Sequence, residues 1–400
     1  MSDSLQIARI LLSRLQPFSY CAIDLTDPET GDPLTDVCLL GVDDAGKSVL
    51  LSQLCHSVDL AVPPDVPDPA SAREALVLTQ FKWNDRLVYQ ARRGSPRQNS
   101  PADVLWLNES VHEIDGWHDL GENPPGFDEF RERFGHCGLG EDEVPPQPPR
   151  AFFGADSSLV DSCDTKTLHA FLESIVDERE REYRSFLELP ENRERTVAEA
   201  EEEFETARPS LLPVLQDLWS SMLHKPIRIN PEKCAVSPAA DVAARGAQSL
   251  LLRTGCLLRQ CFRRPDEAGF LFLDEPETGL HPAAALNVVK LYRSILGTRR
   301  TQLFAATHSP LIASQFSPQQ RVRLGSGDGD RVAASRGIAP EGSDPNQILK
   351  RDFEIEEALG KKTSSVEQTL QAGRAAHDID EQDEDELADL IDEASWVRKP

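Results

Sequence analysis

The run Phe270-Leu271-Phe272-Leu273-Asp274-Glu275-Pro276-Glu277-Thr278-Gly279-Leu280-His281-Pro282 drives an apolar stretch straight into two adjacent carboxylates and a proline. It reads as a buried strand delivering acid groups to a sheet edge. A buried carboxylate without a partner is costly and ordinarily finds a cation or a proton. A metal-bound phosphate fits that need. On an extended backbone, Asp274 and Glu275 leave on opposite sides, so one can face a metal and the other a water.

A phosphate site is offered far upstream. Gly41-Val42-Asp43-Asp44-Ala45-Gly46-Lys47-Ser48 fits G-x-x-x-x-G-K-[ST], preceded by the apolar Val37-Cys38-Leu39-Leu40 and followed by Val49-Leu50-Leu51. That context puts it between a strand and a helix, as a phosphate loop requires. The backbone N–H groups from Gly41 through Asp43, Asp44, Ala45 and Gly46 then point at phosphate oxygens, Lys47 reaches the outer phosphates, and Ser48 offers its hydroxyl to magnesium. ATP and Mg2+ are the expected ligands. A third element, Thr301-Gln302-Leu303-Phe304-Ala305-Ala306-Thr307-His308-Ser309-Pro310, is another short apolar strand, ending on Thr-His-Ser.

Phosphate loop, Asp-Glu strand and strand ending in His follow the order of ABC-type ATPase heads. More narrowly, the chain resembles the ATPases of the RecF, SMC and overcoming-lysogenization-defect group, whose phosphate loop often reads G-x-N-D-A-G-K-S and whose acidic strand often continues L-D-E-P-E-x-x-L-H-P. The resemblance implies an α/β fold, an ABC-type P-loop head with a mixed sheet flanked by helices and an inserted helical lobe. It also implies roles: Lys47 neutralises the β- and γ-phosphates, Ser48 and Asp274 hold magnesium, Glu275 orients and deprotonates the attacking water, and His308 contacts the γ-phosphate. His281 shapes the turn after the acidic strand.

ABC heads complete their site with a signature turn donated by a second subunit. The corresponding segment is Ala244-Arg245-Gly246-Ala247-Gln248-Ser249, in which Gly246 and Gln248 match and the signature serine is replaced by Ala244 or Arg245. Arg245 is then a candidate trans contact to the nucleotide, and slow hydrolysis in an ATP-gated clamp is the other reading. For the glutamine that senses the site, Gln80, Gln90 and Gln98 stay open. A GTPase-like switch is disfavoured, because no N-K-x-D motif follows the loop.

The 400 residues carry a formal net charge of −26 and 39% hydrophobic residues with 23 glycines, enough for a large α/β core. So acidic a chain does not grip nucleic acid over its whole surface, so any such contact must be local. The 8 cysteines include no C-x-x-C, which argues against zinc. With no leader and no long apolar run, a reduced cytoplasmic setting without membrane contact is expected. His56, His112, His118 and His169 show no ligand spacing and read as surface or satisfied histidines.

Four segments are expected: 1–120 and 226–340 as the two parts of the head, 121–225 as a proline-rich loop and helical insertion, and 341–400 as C-terminal helices with an acidic tail. Within them, Met1–Leu15 reads as an amphipathic helix and Phe18–Leu25 as a strand. Ala75–Lys82 with Arg86–Arg92 reads as a hairpin, with Arg92, Arg93 and Arg97 as a basic cluster. Gly121–Pro149 reads as irregular, Thr165–Leu189 as an amphipathic helix, and the stretches at Arg321–Leu324 and Arg331–Ala333 as strands closing a sheet edge. Asn346-Gln347-Ile348-Leu349 through Phe353 resembles the N-x-I-L-x-x-x-F segment of bacterial anti-phage ATPases of Septu type. The tail Asp378–Glu393 carries ten carboxylates and no basic residue, and reads as a disordered solubilising tail or a helix that docks on a basic partner. These features point to an ATPase that dimerises through its heads and regulates a separate nuclease-like effector in a bacterial defence module. A DNA-repair or chromosome-maintenance ATPase and a scaffold with little turnover are the alternatives.

Overall fold

The computed structural model describes residues 5–41, 45–58, 74–94, 103–113, 125–140, 143–145, 150–153, 165–189, 192, 195–223, 225–238, 245–263, 269–297, 300–326 and 332–353. The strands are β1 Leu5–Leu15, β2 Phe18–Asp24, β3 Asp36–Leu40, β4 Leu76–Trp83, β5 Arg86–Arg93, β6 Val104–Leu107, β7 Arg150–Phe153, β8 Arg228–Asn230, β9 Ala235–Ser237, β10 Phe270–Asp274, β11 Gln302–Thr307, β12 Arg321–Ser326 and β13 Val332–Arg336. The helices are α1 Lys47–Val58, α2 Ser110–Glu113, α3 Phe127–Phe134, α4 Thr165–Leu187, α5 Val197–Ala207, α6 Leu211–Leu223, α7 Arg245–Arg263, α8 Pro282–Ala285, α9 Val288–Leu296, α10 Pro310–Ala313 and α11 Pro345–Arg351.

Two large sheets organise the described residues, beside a small antiparallel pair β8-β9. One has the order β13-β12-β3-β11-β10-β7 and is parallel from β12 to β7, with β13 added antiparallel at one edge. The other, β2-β1-β4-β5-β6, is antiparallel throughout. This is the expected α/β class with a mixed sheet flanked by helices. A parallel sheet must be covered on both faces, and β10 shows how: Phe270 and Phe272 join one core with α1 and the antiparallel sheet, while Leu271 and Leu273 join another with α7 and α9. Strand β10 lies between β11 and β7. Its carboxylates therefore emerge at the carboxyl end of an interior strand and not at a lateral sheet edge.

Gln302, at the start of β11, staples the two sheets. Its side chain accepts from the Ile7 N–H at 2.7 Å and donates to the carbonyls of Ile7 at 2.9 Å and Leu34 at 2.8 Å. The expected N-terminal helix is instead strand β1, paired with β2 and β4, and its register on β4 shifts between Ile7 and Arg9. The bulge places Ile7 and Ile10 in the same core, and that spacing of three imitates a helical face. With Leu11 facing the opposite core, β1 is buried on both sides.

The expected irregularity of Gly121–Pro149 is also corrected in part. Helix α3 forms there, and Phe127, Phe130 and Phe134 cover the outer face of the antiparallel sheet. Glu129 caps its start by accepting from the Gly126 N–H. The hairpin β4–β5, helix α4 and the edge pair β12–β13 appear as expected. Helices α4, α6 and α7 share a separate core built on Leu172, Leu215, Trp219 and Leu251. The acidic tail lies outside the described residues.

The segment after β13 has a structural role. The Arg321 and Asp352 side chains are each 0% exposed and pair at 2.6 Å. Asp352 Oδ1 also accepts the N–H groups of Ile338 and Ala339, at 2.6 and 2.9 Å, and its carbonyl accepts from Arg323 Nε at 2.9 Å. Phe353 follows into the core shared with β10. Breaking a buried pair by removing one partner strands the other charge, at a cost of about 3–5 kcal/mol. Asp352→Ala is therefore expected to lower the urea midpoint by that equivalent, and Asp352→Glu to lower it less; equal midpoints for Asp352→Ala and wild type would contradict this role.

Candidate nucleotide site

Strand register assembles the site. Ala306 pairs with both Asp274 on β10 and Leu39 on β3, and Thr307 pairs with Leu40. The end of β3, the end of β11 and the acidic end of β10 thus lie side by side. With neighbouring strands ~4.8 Å apart, the phosphate loop leaves the sheet about 10 Å from Asp274. That span suits a polyphosphate with its metal.

Gly41 follows β3, and α1 opens at Lys47, so the strand–loop–helix context is present. Val42, Asp43 and Asp44 lie outside the described residues. Gly46 sits at φ +85°, and a Cβ there would come within 2.7 Å of Phe18 Cζ and Pro17 Cγ. The turn joining β1 to β2 therefore braces the loop from behind, and only glycine fits both the conformation and the space. At Gly41 a Cβ would meet the Leu324 carbonyl oxygen at 2.7 Å. Ala45 is buried, Lys47 is 7% exposed, and Lys47 Nζ donates to the Gly41 carbonyl at 3.0 Å. Ser48 occupies the first turn of α1, where helix N–H groups lack intrahelical partners and favour an anion.

Helix α1 is held in place by a buried polar contact. Arg92 Nη2 donates to the Gln53 carbonyl at 2.8 Å and to the Gln53 side-chain oxygen at 2.5 Å. Its neighbour Arg93 points the other way and pairs with Asp103 at 2.9 Å and Asp128 at 2.7 Å. The expected basic cluster is therefore split: Arg92 is 0% exposed, Arg93 is neutralised, and Arg97 lies outside the described residues. Gln80 and Gln90 are buried within the antiparallel sheet, where Gln80 donates to Tyr89 Oη at 2.7 Å; Gln98 lies outside the described residues. His56 is buried in α1 with Nδ1 at 2.5 Å from the Ser52 carbonyl oxygen, and His169 Nδ1 lies 3.0 Å from the Cys234 carbonyl oxygen.

On the acidic side, Asp274 ends β10 and is 7% exposed. Glu275 does not continue the strand as expected. Its φ is +44°, so the side chains of the pair are separated by a left-handed turn and not by strand alternation. Backbone bonds support that turn: the Glu275 N–H donates to the Ala306 carbonyl at 2.9 Å, and the Thr278 N–H donates to the Glu275 carbonyl at 3.0 Å. A left-handed glutamate costs of order 1–3 kcal/mol and persists where its surroundings impose it. The turn brings Glu275 Oε1 to 2.8 Å from His308 Nε2, with the two side chains 29% and 41% exposed. Thr278 Oγ1 donates to the other Glu275 oxygen at 3.1 Å.

Glu277 joins the site although the motifs assign it no role. Its carboxylate accepts the Thr307 hydroxyl. Burial raises the Glu277 carboxyl above the usual carboxylate range, against the lowering pull of the Thr307 hydrogen bond. The signal lay in the spacing: a third carboxylate two residues beyond Glu275, with a threonine before the strand-ending His308. His281 is exposed beyond this turn. Arg245 and Gly246 open α7, and Gln248 in its first turn is buried.

The donor set fits a magnesium–nucleotide complex. A buried lysine and a helix N-terminus face the side of the phosphates, and a buried aspartate ends the strand two places along. Bound there, magnesium would be held by Ser48 and Asp274 and would supply charge neutralisation to the outer phosphates.

Residues 238–314, which hold the acidic strand and His308, match the family model described as "AAA domain, putative AbiEii toxin, Type IV TA system". No curated protein matches the chain. Among solved structures the chain is similar to the SmcHead bound to the C-winged helix domain of ScpA, at 11% identity over 83% of this chain and 97% of that one, with a TM-score of 0.45. It is also similar to the Smc head domain with an extended coiled coil bound to the C-terminal domain of ScpA from Pyrococcus furiosus, at 12% identity over 83% and 96%, TM-score 0.41. A third is the SMC head domain from Thermotoga maritima, at 14% identity over 83% and 99%, TM-score 0.39. No helix among the described residues is long and apolar enough to cross a membrane.

The bracing of Gly46 yields a test. Gly46→Ala places a side chain against Phe18 and Pro17 at a left-handed position, and a strain of order 1–3 kcal/mol converts to roughly tenfold or more in nucleotide affinity. Titration calorimetry with ATP and magnesium is expected to show that loss in a variant whose circular dichroism matches wild type; unchanged affinity would place the phosphates elsewhere.

Proposed function

We propose that this chain is an ATP-hydrolysing P-loop ATPase of the ABC-head type, built on the α/β scaffold described above. The observation that carries the reading is the contiguous row β3-β11-β10, which brings the Lys47 loop, His308 and the Asp274-Glu275 pair to one end of one sheet. Phosphoryl transfer to water needs positioning and electrostatics more than covalent chemistry. Lys47 and the N–H groups at the start of α1 bind the phosphates. Glu275 accepts the proton of the attacking water, and His308, hydrogen-bonded to Glu275, orients that carboxylate and meets the γ-phosphate side. Gly246 and Arg245, at the start of α7, are the candidate contacts to the nucleotide of a second head when two copies close on ATP, whereas burial of Gln248 within its own chain removes it from that role.

The biological setting we infer is a bacterial anti-phage defence module in which ATP-driven closing and opening of paired heads regulates a separate nuclease-like effector. Its support is the match of 238–314 to a family described by a putative toxin of a toxin–antitoxin system, together with the Asn346–Phe353 segment.

Glu275→Gln tests the assignment. Removal of a general base is expected to lower turnover by about 10² or more while ATP binding persists, and light scattering is expected to report a doubled mass with ATP and magnesium that wild type loses as it hydrolyses. A wild type that neither turns over ATP nor changes mass would leave a nucleotide-binding scaffold instead.

A further inference from the structure

Glu277 is the third carboxylate of the acidic turn, and neither the phosphates nor the metal calls on it in the scheme above. Its surroundings are specific. Oε1 accepts the hydroxyl of Thr307, the last residue of β11. Thr307 Oγ1 in turn accepts the Ser309 N–H at 2.9 Å. These two bonds bracket His308 on both sides in sequence. Oε2 of Glu277 is buried and has no hydrogen-bond partner among the described residues. A buried carboxyl oxygen left without a partner costs stability.

We propose that Glu277 is a positioning residue for the water-activating pair: through Thr307 and Ser309 it sets the turn that holds His308 against Glu275. This rests on the reading of Glu275 and His308 given under Proposed function. The chain of contacts is short and directional. Glu277 orients the Thr307 hydroxyl so that its proton points to the carboxylate and its lone pair to the Ser309 N–H. With both flanks of His308 tied, the imidazole stays 2.8 Å from Glu275 Oε1. The acidic turn and the histidine turn, which belong to different strands, are joined by the Glu277–Thr307 bond as well as by the Glu275 N–H to the Ala306 carbonyl, at 2.9 Å. What the position requires is a hydrogen-bond acceptor, so an amide carbonyl oxygen serves in place of the carboxylate.

The test uses the full chain with Glu277→Ala, Glu277→Gln and Thr307→Val, and reads two independent quantities. In steady-state turnover, Glu277→Ala and Thr307→Val are expected to lower kcat about tenfold with KM for ATP within about twofold of wild type, while Glu277→Gln restores most of kcat. In amide hydrogen exchange, Ser309 is expected to exchange about tenfold faster in Glu277→Ala and Thr307→Val than in wild type or Glu277→Gln. Wild-type kcat and Ser309 exchange in a folded Glu277→Ala would overturn the proposal. Equal loss in Glu277→Gln and Glu277→Ala would also overturn it, because charge and not hydrogen-bond acceptance would then matter. Should Glu277→Ala fail to fold, Thr307→Val decides by the same criteria. If wild type shows no turnover, the hydrolase reading fails by itself, and Ser309 exchange still decides whether Glu277 sets this turn.

Discussion

The pairing of β11 between β3 and β10 is the constraint on which the rest of the structure depends. Its register puts Thr307 beside Leu40 and Ala306 beside Asp274, so three loops leave the sheet in one row. A slip of one residue would turn Phe270 and Phe272 away from the core they share with α1 and send Leu271 and Leu273 into it. Because both faces of β10 are buried, such a slip is heavily penalised. The same packing that stabilises the sheet therefore sets the distance between the lysine loop and the acidic turn.

Charge balance explains the second layer of organisation. Lys47 and Asp274 are nearly buried, and isolated burial of either would be unfavourable. A phosphate beside the lysine and a divalent cation beside the aspartate would neutralise both charges at once. Glu275 escapes the strand through its left-handed turn and meets His308 in a more open position. In the buried Arg321–Asp352 pair each charge finds its complement within the chain, and the role is structural.

Much of this was legible in the residues, and the gaps have physical causes. The phosphate loop, the acidic strand and the His308 strand announce themselves because each joins an apolar run to a fixed polar spacing. Strand β1 misleads because its bulge turns a period of two into a spacing of three. Helix α3 is missed because eight residues among prolines give little pattern, although Phe127, Phe130 and Phe134 do share a face. Arg92 and Arg93 look like one patch in sequence, yet strand alternation sends one under α1 and the other to Asp103 and Asp128. The turn at Glu275 and the Glu277–Thr307 contact depend on two strands meeting, which no local pattern encodes.

The central claim is that the Lys47 loop and the Asp274 turn form one magnesium–nucleotide site. Titration calorimetry of ATP into wild type, with and without magnesium, and into Lys47→Ala and Asp274→Asn, tests it most directly. Saturable binding that magnesium strengthens is expected, with loss of binding in Lys47→Ala and loss of the magnesium effect in Asp274→Asn. Binding that is indifferent to both substitutions, or no binding at millimolar ATP, would contradict it.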